Sequence, residues 1–71
     1  MQYLVVIEKG ESSFGAYVPD LPGCIATAES ENEVRHLIKE AIEFHIEGLR
    51  ESGEPVPPPS SSSAVVEVGA A

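Results

Sequence analysis

The chain is poor in positive charge. Of its 71 residues only four are Lys or Arg, against twelve Asp and Glu, giving a formal net charge of −8. A free-standing nucleic-acid binder needs a basic footprint to displace counterions from phosphates, and this composition is the reverse of one. Its natural complement is a basic protein, because opposite fields speed encounter and set orientation. Cysteine is nearly absent too. Cys24 stands alone, which excludes an intrachain disulfide and is compatible with a reducing compartment. Long apolar runs are missing: the N-terminal one spans only Leu4 to Ile7, with no basic region before it. That is too short for a signal-peptide core or a membrane span, so a cytoplasmic location is expected. A chain of this size buries only about 60% of its unfolded surface, and self-association is a common remedy. The sequence therefore predicts one domain, 1–71, that forms a dimer or tetramer.

The scarcity extends to groups that do chemistry. His36 and His45 are nine residues apart, roughly 180° around a helix, so one helix cannot bring both to one metal. His45 falls in an apolar stripe and reads as a core histidine bonded to a backbone carbonyl. Cys24 reads as a small buried thiol rather than a nucleophile. Asp20 is the tempting carboxylate, but two-metal hydrolysis needs several converging carboxylates. The strands offer only Glu8 and Glu67 beside it. Asp20 is better read as capping its own turn. No catalytic residue, metal or cofactor is implied.

What the sequence does have is clear punctuation. Residues 2–8 read as a strand whose two faces are both apolar, with Tyr3, Val5 and Ile7 on one and Leu4 and Val6 on the other. That pattern predicts a central strand rather than an edge. A polar, glycine-containing stretch from Lys9 to Ser13 suits a hairpin loop into a second strand, 13–18. Pro19, Asp20, Leu21, Pro22 and Gly23 then make a stiff loop, the two prolines fixing φ and Gly23 free to turn the chain. A third strand follows at 24–28. Ser30 and Glu33 form a capping-box pair, and Val34, Leu37, Ile38, Ala41, Ile42, His45, Ile46 and Leu49 keep the helical period to about residue 52. Gly53 suits the end of that helix. A Pro/Ser linker, 54–63, leads to Ala64-Val65-Val66-Glu67-Val68, whose β-branched run predicts a fourth strand. The expected fold is α+β, ordered β-β-β-α-β, an antiparallel sheet with one long helix on one face.

These residues resemble those of the HicB-like antitoxins of toxin–antitoxin pairs. The resemblance rests on the strand ending Glu8-Lys9, on Phe14-Gly15-Ala16-Tyr17-Val18-Pro19-Asp20-Leu21-Pro22-Gly23-Cys24, on the helix end Ala41 to Leu49, and on Gly53-Glu54-Pro55-Val56-Pro57-Pro58-Pro59. The Pro-Asp-Leu-Pro-Gly-Cys element is its specific part. It implies a partial RNase H-like fold without catalytic residues, and a role in binding and blocking a small basic HicA-like RNase toxin. Many members carry a C-terminal DNA-binding helix-turn-helix or ribbon-helix-helix; this sequence stops after its fourth predicted strand, so direct operator binding is not expected. Stand-alone members without a toxin also exist, which leaves an orphan oligomeric module as the alternative. The expected partner-binding residues are the loop Pro19, Asp20, Leu21, Pro22 and Gly23, and the acidic helix ridge Glu40, Glu43 and Glu47.

Overall fold

In the computed structural model, which describes residues 1–70, three strands are followed by one helix: β1 Val6–Lys9, β2 Phe14–Tyr17, β3 Ile25–Ala28 and α1 Glu31–Glu51. The strands form an antiparallel meander with β2 in the centre. Its register pairs Val6 with Tyr17 and Tyr17 with Ile25, then Ile7 with Ala16 and Ala16 with Ala26. Successive rows face opposite sides of the sheet. The Ile7-Ala16-Ala26 row packs toward the helix, and Ala16, Val18, Leu21, Cys24, Val34 and Ile38 make the buried core. The Val6-Tyr17-Ile25 row lies on the other face, where Tyr17 and Ile25 are exposed.

The helix ends obey their local chemistry. Ser30 is the N-cap, its Oγ accepting from the Glu33 N–H at 3.1 Å. The reciprocal arm differs from a full capping box, because the Glu33 carboxylate accepts from the Ser30 hydroxyl at 3.2 Å instead of from its N–H. Glu31 and Glu33 place negative charge at the positive end of the helix dipole. At the other end Gly53 takes φ 72°. The Gly53 N–H donates to the Arg50 carbonyl at 3.1 Å and the Glu54 N–H to that of Leu49 at 2.9 Å. That pair of bonds is a Schellman motif, and only the left-handed residue allows it cheaply. Ser30→Ala is expected to cost about 1 kcal/mol, seen as a lower midpoint in urea denaturation with an unchanged slope.

Two sequence expectations fail together. No strand forms over 64–68; that segment is described, without strand pairing, and Val65, Val66 and Val68 are 103%, 73% and 78% exposed. As a result β1 lies at an edge of the sheet and not in its middle. The paired part of β1 also starts at Val6 rather than residue 2, because β2 ends at Tyr17, the partner of Val6, just before Pro19. β-propensity measures fit to a neighbouring strand, so a β-branched composition does not by itself pair a segment. The linker is held at the end of the sheet and the tail runs off it. The radius of gyration is accordingly 14.3 Å, against about 11 Å for a compact chain of this length.

Candidate functional site

The β2–β3 loop is two consecutive turns. The Leu21 N–H donates to the Val18 carbonyl at 3.1 Å, around Pro19 and Asp20. The Cys24 N–H donates to the Leu21 carbonyl at 3.0 Å, around Pro22 and Gly23, whose φ is 85°. Proline followed by a positive-φ glycine is the type II arrangement. The Val18 N–H closes the loop on the Cys24 carbonyl at 3.2 Å. This geometry turns Leu21 inward until it is fully buried. Leu21, expected on a docking surface, is instead the loop's anchor in the core. Pro19, Pro22 and Gly23 are exposed.

Asp20 has a partner that its local sequence does not reveal. Oδ2 accepts from the backbone N–H groups of Ser60 and Ser61, both at 2.9 Å, and Oδ1 accepts from their hydroxyls at 3.1 and 2.8 Å. Four donors thus converge on one carboxylate and fasten the linker to the loop. The expected cap of its own turn is replaced by this clasp to residues forty positions away. The Tyr3 hydroxyl holds the same linker through the Pro57 carbonyl.

The bonds from the Ser61 and Ser60 N–H groups lower the Asp20 pKa from 3.8 to about 2. A carboxylate with a depressed folded pKa stabilises the clasp above its unfolded pKa and loses that contribution as pH falls through the folded value. The clasp is therefore intact at neutral pH and opens between about pH 4 and pH 2. The Ser60 and Ser61 amide shifts, followed by NMR, are expected to titrate together over that window and to lose the transition in Asp20→Ala.

The remaining chemical candidates are structural or isolated. Cys24 is buried in the core, and burial pushes its thiol pKa up. Such a thiol is a poor nucleophile. His45 is only half-buried and lines a groove with Phe44, Gly48 and Leu49, so it is not the carbonyl-bonded core residue expected. No hydrogen bond to it is found among the described residues. Nor do these residues contain any group of three His, Cys, Asp or Glu able to hold a metal. No described helix is long and apolar enough to cross a membrane.

The helix ridge carries the feature that sequence reasoning missed. Glu40, Glu43 and Glu47 are exposed, as is Phe44 at 80%. At 100° per residue Phe44 lies about 40° from Glu40 and 60° from Glu47, so the ring emerges on the acidic side. The visible signal was an aromatic residue off the apolar stripe. Glu40 also faces His36, with Nε2 to Oε2 at 3.8 Å, and Glu31 pairs with Arg35 at 3.1 Å. Glu43 and Glu47 have no ion-pair partner among the described residues.

A small sheet with one covering helix, an acidic helix ridge and an exposed aromatic residue has the makings of a protein-binding module. Comparison with known proteins gives the family: the sequence model for the HicB_like antitoxin of bacterial toxin-antitoxin system matches residues 3–69, and the chain belongs to that family. An uncharacterised 14.9 kDa protein from the rep-hol intergenic region of Haemophilus phage HP1 is 42% identical over 57 residues. That match covers 80% of this chain but 43% of the phage protein, so the chain spans less than half of that relative. A UPF0150 protein of Thermoplasma acidophilum is 40% identical over 58 residues, covering 80% of this chain and 84% of the relative. Among solved structures, a HicA3 and HicB3 toxin-antitoxin complex contains a chain that superposes with TM-score 0.72 at 33% identity. The superposition covers 83% of this chain and 70% of that one. The α+β class and the β-β-β-α part of the expected β-β-β-α-β order, three antiparallel strands and a long helix, are therefore shared with a HicB-type neighbour.

Proposed function

We propose that this chain is a non-catalytic antitoxin that binds and neutralises a small basic HicA-like mRNA-cleaving toxin by occluding it. The observation that carries this reading is Phe44, exposed on a helix face flanked by Glu40 and Glu47. A few buried anchor side chains carry most of the binding energy at protein interfaces, and an exposed aromatic ring beside the acidic ridge is suited to be one. The surrounding carboxylates suit a basic partner, steering its approach and setting its orientation. The exposed residues Glu43, Pro19, Pro22 and Gly23 are also assigned to partner contact in this proposal. Asp20 contributes by holding the linker, and Leu21 by fixing the loop from within. In this reading the chain occludes the toxin and adds no chemistry of its own.

Co-expression and co-purification with a small basic HicA-like toxin test the reading. The expected result is a stoichiometric complex that weakens as salt rises, because exposed opposite charges are screened. A chain that purifies without that partner, under low salt and with both genes expressed, contradicts the proposal and favours an orphan self-associating module.

A further inference from the structure

The two failed expectations of the fold share one remedy. The run Tyr3–Ile7 that leads into β1 is apolar on both faces, yet β1 lies at an edge, and 64–68 has the composition of a strand but forms none. We propose that residues 64–68 of one copy add as a fourth strand to the free edge of β1 in a second copy, and reciprocally, so that the protein is a strand-exchanged dimer.

Charge selects this edge over the other. Lys9 is the only cation in the sheet, and Arg35 and Lys39 line a groove with Tyr3, Leu4, Val5 and Ile7 beside the same strand. Three of the four basic residues of an acidic chain thus lie near β1, where Glu8 of the same strand and Glu31, paired with Arg35 at 3.1 Å, offset two of them. The tail from Pro55 onward carries a single charge, Glu67. It is therefore the segment of this chain that the acidic body of another copy repels least, and its one charged side chain is opposite in sign to Lys9 of β1. The β3 edge offers the reverse, with four uncharged residues followed by Glu29.

Register follows from the alternation of side chains. A parallel pairing that sets Glu67 beside Lys9 also sets Val65 beside Ile7, on the side covered by the helix. Val66 then falls on the opposite face, which already carries Val6, Tyr17 and Ile25. The clasp sets where the tail leaves its own body. Ser60 and Ser61 are fixed to Asp20 and residues 61–63 lie beside Gln2, Tyr3 and Leu4, yet every residue from 64 to 70 is exposed. Exchange of an identical element between two copies is a low-cost route to a dimer, and it covers an edge that would otherwise invite aggregation. It also separates the surfaces, with self-association on the β1 edge and the toxin on the acidic helix. This inference does not rest on the toxin reading, and its tests contain no toxin.

Sedimentation of the full-length protein tests it. Adjacent N–H groups in a strand point to opposite sides, so Val65→Pro and Val66→Pro together remove a ladder bond whichever edge is used. The pair is expected to raise the dimer dissociation constant by at least about tenfold, with helix content unchanged because both positions are exposed in the single chain. Lys9→Glu and Glu67→Lys are each expected to weaken the dimer a few-fold, and the two together to restore it. A protein that stays monomeric at the highest concentration reached overturns the inference. So does a dimer insensitive to the two prolines, or a charge exchange that fails to restore association.

Discussion

Leu21→Ala is expected to remove about 3 kcal/mol of stability, the largest loss from any single truncation in the loop. Leu21 is 0% exposed and sits in the core with Val18, Cys24, Val34 and Ile38. Deleting its isobutyl end forfeits the transfer energy of the lost carbons and leaves a cavity that two proline-braced turns cannot collapse to fill. A domain of this length has roughly 4–10 kcal/mol in total, so one truncation takes a large share of it. Urea denaturation followed by helix ellipticity measures the effect. The neighbouring exposed change Pro22→Ala is expected to move the midpoint far less, since it leaves the core filled and relaxes only the preset turn. A Leu21→Ala variant as stable as the parent contradicts the assignment of this loop as a core-anchored element.

Phe44→Ala should act in the opposite way on two observables. Its ring is exposed, so folding loses little when it goes, and alanine is the better helix former; stability is expected to stay within about 0.5 kcal/mol or rise. Affinity for the basic partner is expected to fall by about 2 kcal/mol, roughly thirtyfold in dissociation constant. Glu47→Lys, on the same side of the helix, is expected to slow association and flatten the salt dependence, as an exposed steering charge does. Calorimetric or interferometric titration with the partner separates the two effects. An unchanged affinity in Phe44→Ala would move the contact surface off this helix face.

How far the letters reached depends on the range of the interactions involved. The helix was legible almost to the residue, because Ser30, Glu33 and Gly53 act within one turn of their own position. So was the loop, where Pro19, Pro22 and Gly23 set the turn through their own backbone. What local pattern could not supply was the identity of distant partners. The Asp20 carboxylate looked like the cap of its own turn, and its true donors at Ser60 and Ser61 are visible only once the chain has folded back. Leu21 sits in a run of loop-forming residues, which conceals that the double turn points it into the core. The strand at 64–68 was read correctly as a strand-like composition and wrongly as a paired element within one chain, because composition does not say whose edge is near. Phe44 escaped notice since the periodic stripe gathers residues that are buried, and the informative residue was the one outside it.

The most direct test of the central claim is cleavage of RNA by a small basic HicA-like toxin, with this chain titrated in. The account predicts that cleavage falls in proportion to added chain and stops at a fixed molar ratio. Phe44→Ala should require a large excess to reach the same end. Cleavage that continues undiminished in the presence of excess folded chain, with no complex formed, would contradict the antitoxin role.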